Sequence, residues 1–212
     1  MKKYSTLIWD FNGTLVDDVH AALAAVNDML TKRNQPTIDL DRYQQEVDTP
    51  IINFYNNVFL PGTLDFSDAV VEFNIGYDKY LPEKPLMEGA QEMLRFFSSR
   101  GKRQTVVSAS NVQKVTRMLT SLGIINYFER VIARDDYMAG DKLYLAKQYF
   151  QEESIDPSDA LVIGDCVADW QMAKALGADS VLITRGHQGR REFSVTDALI
   201  IDNLSELKSI IE

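Results

Sequence analysis

The apolar run Leu7-Ile8-Trp9 has no helical spacing and breaks at Asn12-Gly13, a strong turn dipeptide. It predicts a buried strand that ends at Asp10, where a loop opens. After Asp17-Asp18 the period changes. Val19, Leu23, Val26 and Leu30 recur three and four residues apart, the stripe of an amphipathic helix, with Asp17 or Asp18 as its expected N-cap. A second helix is expected over 41–47. A third is expected from Pro50, with Thr49 as cap and the stripe Ile51, Tyr55, Val58 and Phe59. Val70, Phe73, Tyr77 and Tyr80 mark a fourth, closed by Pro82 and Pro85.

Nothing between residues 17 and 85 reads as a strand, so this block is expected to bury its stripes against one another as a small bundle. From Met87 onward short apolar runs alternate with helical stripes. Strands are expected at 104–107, 128–133, 160–163, 180–183 and 198–201. Helices are expected around 90–97, 112–122, 143–150 and 169–176, with a short closing helix over 204–211. Strands and helices alternating at this length imply parallel β-α units with right-handed crossovers. The expected fold is α/β: a Rossmann-type parallel sheet core from 1–16 and 86–212, with an inserted all-helical domain over 17–85.

Composition narrows the partners. The chain has 212 residues, 45% hydrophobic and 25% charged, which suits one domain with a sizeable insertion or two small ones. Its formal charge of −9 argues against nucleic acid and against an anionic membrane surface. Cys166 is the single cysteine, which excludes an intrachain disulfide and a cysteine-only metal cluster. The first apolar run is too short for a signal peptide or a membrane span. The expectation is a cytoplasmic protein, monomer or homodimer, with no nucleic-acid or membrane partner.

Four strand ends deliver polar residues: Asp10, Ser108, the loop carrying Lys142, and Asp165 with Asp169. In a parallel sheet these ends share one edge, so residues far apart in sequence converge. A carboxylate nucleophile, a hydroxyl, a lysine and further carboxylates for a hard cation are the parts that phosphoryl transfer requires. The carboxylates of Asp165 and Asp169 near Asp10 would repel strongly without a cation, which points to Mg²⁺.

Asp10-Phe11-Asn12-Gly13-Thr14-Leu15 resembles the first motif of the haloacid dehalogenase superfamily, Asp-x-Asp-Gly-Thr-Leu/Val. Val106-Val107-Ser108 resembles the second motif, Lys142 the lysine of the third, and Gly164-Asp165-Cys166-Val167-Ala168-Asp169 the fourth, Gly-Asp-x-x-x-Asp. Spacing through Ala173, Ala175 and Gly177-Ala178 is similar to the phosphoglycolate-phosphatase-like subgroup, in which the helical insert is a cap over the active site. The resemblance implies a Mg²⁺-dependent phosphatase that forms an aspartyl-phosphate on Asp10. It implies catalytic roles for Asp10, Asn12, Ser108 and Lys142, and contacts to a small phosphorylated metabolite from Gly13, Thr14, Ser108, Ala109 and Lys142. It also implies Mg²⁺ ligands at Asp10, the Asn12 backbone carbonyl and Asp165, with Asp169 nearby or acting through water.

One position departs from that pattern. Asn12 stands where family phosphatases carry the Asp that protonates the leaving oxygen, and an amide cannot exchange that proton. Alternatives are therefore a weakened, phospho-metabolite-binding protein, or a phosphonatase-like C–P hydrolase using a cap lysine among Lys32, Lys79 and Lys84. Asn-Gly is also prone to deamidation, which would restore the motif in a fraction of molecules. Other groups have plainer expected roles. Ser108, read first as a phosphate contact, could instead cap the helix after residue 111, a role for which Ser110 competes, and Lys147 and His20 would lie on the surface. The basic run 185–191 follows a strand end and either borders the site or, by default, is an exposed loop, and Phe54, Tyr55, Phe73, Tyr77 and Tyr80 would be bundle core. Specificity is expected from Asp48-Thr49-Pro50 and Phe66.

Overall fold

Leu7, Ile8 and Trp9 are fully buried, because the strand they form, β1 (Thr6–Trp9), runs through the middle of a parallel sheet. The computed structural model describes residues 3–135 and 142–212. The other strands are β2 (Arg103–Asn111), β3 (Arg130–Arg134), β4 (Ala160–Gly164), β5 (Asp179–Ile183) and β6 (Leu199–Ile201). All pairings are parallel, in the order β3-β2-β1-β4-β5-β6. The chain builds outward to β2 and β3, then crosses to the far side of β1 for β4, β5 and β6. The reversal falls between β1 and β4, the position at which open α/β sheets bind ligands outside their carboxyl ends.

Between β1 and the rest of the sheet come α1 (Val19–Lys32), α2 (Leu40–Glu46), α3 (Ile52–Val58) and α4 (Phe66–Tyr80). They bury an apolar cluster of their own, including Val26, Met29, Phe54, Tyr55 and Tyr77. The chain leaves and re-enters the sheet region at one place. Asp17 N donates to Pro85 O (2.9 Å), Met87 N donates to Leu15 O (2.9 Å), and Val16 bridges Leu86.

Successive strand residues point to opposite faces of a sheet. Leu7 and Trp9 pack with Val106, Leu161 and Ile163 on one face, beneath α5 (Ala90–Ser98), α6 (Val112–Ser121) and, near the carboxyl terminus, Leu204 and Leu207. Ile8 packs with Val107 and Val162 on the other, beneath α7 (Leu143–Glu152) and α8 (Val167–Leu176). A four-residue helix, α9 (Leu207–Ile210), closes the chain. Among the described residues, no helix is long and apolar enough to cross a membrane.

Several boundaries differ from those expected. The third helix begins at Ile52, because Asp48 rather than Thr49 organises its approach: the Asp48 carboxylate accepts from Thr49 N (2.7 Å) and Asn53 Nδ2 (2.8 Å). β2 continues to Asn111 through a register shift after Val107. The side chain of Asn111 then caps α6, accepting from Gln113 N (3.0 Å) and Lys114 N (3.2 Å), so neither Ser108 nor Ser110 does so. α8 starts at Val167, two residues early, because Asp169 reaches back to Cys166 N in a capping box.

Candidate active site

The carboxyl ends of β1, β2 and β4 open into one cavity of about 610 Å³, whose floor carries Asp10, Ser108, Lys142, Asp165 and Asp169. Asp10 is held by its backbone N–H to Ile163 O (2.8 Å), and its carboxylate pairs with the Lys142 ammonium. That ammonium also lies 2.7 Å from Asp169 Oδ1. The second oxygen of Asp169 accepts from the backbone of Asp165 (3.2 Å) and Cys166 (3.0 Å), which fixes its rotamer. Asp165 accepts from Thr14 Oγ1 (3.0 Å) and from His187 N (2.6 Å). The floor is so tight around Asp165 that a Cβ on Gly13, whose φ is +70°, would meet its Oδ2 at 2.2 Å. A Cβ on Gly186 would meet Asp165 Cβ at the same distance.

Three buried carboxylates face a single lysine. Burial is the chief cause that pushes Asp10 well above the ordinary carboxylate range; Lys142 opposes it, while Asp169 and Asp165 add to it. Asp165 is pushed up to about 6, again by burial and by Asp169, against the pull of His187. Burial works against the charge on Lys142, but Asp10 and Asp169 raise its pKa, so it is a permanent cation. The carboxylates are hard oxygen donors with more negative charge than Lys142 balances, which suits a divalent cation of the Mg²⁺ type; the nearby Cys166 thiol, kept protonated by burial, donates to Asp165 Oδ2 (3.5 Å).

A second network borders the first. Asn12 Nδ2 donates to Asp18 Oδ2 (2.6 Å) and to the Tyr77 hydroxyl (3.2 Å), and Asn12 Oδ1 accepts from Ser110 Oγ (2.7 Å). Asp18, fully buried, also accepts from Gly13 N (2.8 Å) and Tyr77 OH (2.6 Å) and pairs with His187 Nε2 (3.2 Å). Burial alone would raise the Asp18 carboxyl; His187, Tyr77 and Asn12 outweigh it and hold it low. Burial likewise disfavours charge on His187, yet Asp18 and Asp165 push its pKa up to about 9. The other ring nitrogen of His187 meets the Tyr43 hydroxyl at 2.8 Å.

The family model of haloacid dehalogenase-like hydrolases matches residues 7–183. The chain belongs to that family. Curated relatives include a phosphoglycolate phosphatase of Pseudomonas fluorescens, 28% identical over 95% of this chain and 77% of that protein. Another, from Nitrosococcus oceani, is 27% identical over 100% of this chain and 98% of that protein. Among solved structures, a haloacid dehalogenase-like hydrolase of Streptococcus pneumoniae superposes with a TM-score of 0.81 at 19% identity, covering 99% and 100% of the two chains, which shows a shared fold.

In this haloacid dehalogenase-like hydrolase, Asp10, Asn12, Ser108, Ala109, Lys142, Asp165 and Asp169 all line the one cavity. Gly13 and Thr14 lie behind it: the Gly13 N–H serves Asp18 and the Thr14 hydroxyl serves Asp165. Lys147 and His20 are exposed, as expected. Phe54, Tyr55, Phe73 and Tyr77 are bundle core and cavity wall at once, whereas Tyr80 faces solvent. Asp48, Thr49 and Pro50 reach the cavity; Phe66 instead packs edge-on against Tyr55, with ring centroids 6.0 Å apart.

Two residues of the site, Asp18 and His187, are not singled out individually as such by the sequence, although the run 185–191 is expected to be able to border the site. Asp18 looks like a helix cap, yet makes no capping bond to α1, because four partners from elsewhere claim its oxygens. His187 sits in a run rich in arginine, yet its ring is partly buried and packs against Asp18 and Tyr43. Gln188, which is buried, ties the same loop to Val47 O (2.7 Å), and Gln44 Nε2 ties Gly186 O (3.0 Å) to α2.

Proposed function

We propose that this hydrolase is a Mg²⁺-dependent phosphatase that acts on a small phosphorylated metabolite through an aspartyl-phosphate on Asp10. The observation that carries the reading is the convergence of Asp10, Ser108, Lys142, Asp165 and Asp169 on one cavity floor. An Asp10 oxygen bonds to phosphorus as the P–O bond to the leaving group breaks, and the electron pair departs on the leaving oxygen. Water then attacks phosphorus, releasing phosphate and regenerating the Asp10 carboxylate. Ser108 and the Ala109 backbone would hold the phosphoryl oxygens, with Lys142 neutralising their charge. Asp10, the Asn12 carbonyl and Asp165 would hold the cation, with Asp169 beside them. When bound, the cation offsets the repulsion between the carboxylate nucleophile and the phosphoryl group. The helical block over 17–85 would act as a cap on the core from 1–16 and 86–212, closing water out during the first step.

Asn12 shapes what this site does well. Loss of general acid–base help costs roughly 10²–10⁴-fold in rate. The favoured substrates are those whose leaving group departs without a proton. A phospho-metabolite-binding role rests on the same Asn12 and differs in one respect, that nothing turns over. A lysine-dependent C–P hydrolase is disfavoured, because Lys32, Lys79 and Lys84 are exposed and the lysines lining the cavity, Lys114 and Lys142, come from the core and are ion-paired. The test is Mg²⁺-dependent phosphate release from acetyl phosphate by wild type and Asp10→Asn. Release that vanishes in the variant supports the phosphatase; binding without release would replace it with the binding protein.

A further inference from the structure

The cavity extends well past its catalytic floor, and its upper wall is a different chemical environment. Above Asp10 it is lined by Val26, Phe54, Tyr55, Val70, Phe73 and Tyr77 from α1, α3 and α4. Its volume, about 610 Å³, falls within the range of pockets that enclose drug-sized ligands, so a phosphate and a two-carbon acid would leave most of it empty.

The charges on its wall add a second constraint. Among the described residues, the cations that line the cavity are Lys114, Lys142 and His187. Lys142 is engaged by Asp10 and Asp169, and His187 by Asp18. Lys114 pairs with Asp78 (2.9 Å), bonds Asn74 Oδ1 (3.2 Å) and lies over the Tyr77 ring at 4.3 Å. The sequence of 136–141 contains no lysine, arginine or histidine. Against these stand the carboxylates of Asp10, Asp18, Asp48, Asp165 and Asp169. Mg²⁺ and Lys142 would offset the floor carboxylates and His187 offsets Asp18, but a carboxylate on the leaving group would find no cation unclaimed by another acid.

We infer that the substrate is a phosphate monoester of a neutral aromatic alcohol, a phenol, rather than of a small hydroxy acid. The inference rests on the phosphatase reading and sharpens it. Aromatic rings in the cavity wall offer offset and edge-to-face partners to an aryl group. Asn12 makes the same selection by chemistry. A phenol ionises near a pKa of about 10, against roughly 15.7 for water, so a phenolate leaves without a donated proton where an alkoxide does not. As Asp10 bonds to phosphorus, the aryl P–O bond breaks, the electron pair stays on the phenolate oxygen, and that oxygen takes its proton afterwards from solvent. Cavity shape and the missing acid thus favour one substrate class by independent routes.

Four substrates separate those routes: 1-naphthyl phosphate, 2-phenylethyl phosphate, acetyl phosphate and 2-phosphoglycolate, each assayed with Mg²⁺ on the full chain. KM for both aromatic esters is expected at least about 10-fold below that for the other two, a factor that one well-buried ring supplies. Turnover is expected to be high for 1-naphthyl and acetyl phosphate and low for 2-phenylethyl phosphate. The double variant Asn12→Asp/Asp18→Asn should raise kcat for 2-phenylethyl phosphate by roughly 10²-fold, with a much smaller gain for 1-naphthyl phosphate. Phe73→Lys should raise KM for 1-naphthyl phosphate and lower it for 2-phosphoglycolate. In wild type, 1-naphthol should inhibit acetyl phosphate hydrolysis competitively, a readout that needs no variant. A kcat/KM for 2-phosphoglycolate equal to or above that for 1-naphthyl phosphate, or no inhibition by 1-naphthol, overturns the substrate class and leaves the phosphatase standing. No Asp10-dependent release from any of the four overturns both.

Discussion

The amide nitrogen of Asn12 lies 2.6 Å from Oδ2 of Asp18. A buried carboxylate six residues later in the chain thus stands directly against the position-12 amide. Asp18 is an acceptor only, so the pair is stable because one partner is an amide. Asn12→Asp alone would set two carboxylates at hydrogen-bond distance in a buried place, where like charges cannot both ionise. The single variant should lose about 2–4 kcal/mol of stability at pH 8 and less at pH 5, where one proton is shared. Adding Asp18→Asn should recover most of that loss. Urea melts of the three variants at both pH values test it; additive losses in the double variant would show that the two residues do not interact.

Asn12-Gly13 should resist deamidation in the folded protein. The reaction requires Gly13 N to attack the Asn12 side-chain carbon, but that N–H is bonded to Asp18 Oδ1 (2.8 Å) and the amide is held by Ser110, Tyr77 and Asp18. Peptide mapping after prolonged incubation at pH 8 should find Asn12 intact in native protein and converted in urea. Equal conversion in both would contradict the held geometry.

His187 predicts a pH dependence of stability. Its pKa rises from the ordinary value near 6.5 to about 9 on folding. A raised pKa in a cationic acid means that its contribution is fully present below about pH 6.5 and is lost as pH climbs through 9. The shift corresponds to at most on the order of 3 kcal/mol. Asp18 has a lowered pKa, so its share is lost only as pH falls below about 4. The stability difference between metal-free wild type and His187→Gln should therefore be largest between about pH 4 and 6.5 and shrink toward pH 9. A difference that does not vary with pH would mean that His187 is neutral in the fold.

Much of this was legible in the sequence because it is local. Three-residue apolar runs and 3.6-residue stripes gave the α/β alternation, and Asp10, Ser108, Lys142 and Asp165 follow strand ends that parallel pairing must gather on one edge. What stayed hidden depends on partners distant in sequence. Asp18 reads as a cap until Tyr77 and His187, 59 and 169 residues away, are brought to its oxygens. His187 reads as part of an exposed basic loop until α2 folds over it and Tyr43, Gln44 and Val47 bind that loop. The aromatic residues of the helical block announce burial by spacing, but no spacing reveals that Phe54, Tyr55, Phe73 and Tyr77 also face a cavity.

The three floor carboxylates predict how the protein answers to metal. Mg²⁺ should raise the melting temperature of wild type, by mass action on the folded state and by relief of repulsion among Asp10, Asp165 and Asp169. Asp165→Asn should abolish the Mg²⁺ increment while leaving the metal-free protein as stable as wild type or more so, because a buried repulsive charge is gone. Thermal shifts in EDTA and in Mg²⁺ measure both. An Asp165→Asn protein that is stabilised by Mg²⁺ as wild type is would remove Asp165 from the metal site.

The most direct test of the account is the covalent one. Wild type mixed with acetyl phosphate and Mg²⁺, quenched in acid within one turnover, should gain the mass of one phosphoryl group. The adduct should map to the peptide containing Asp10 and be absent from Asp10→Asn. Steady phosphate release by Asp10→Asn, or turnover by wild type with the adduct on any other residue, would contradict the central claim that Asp10 is the nucleophile.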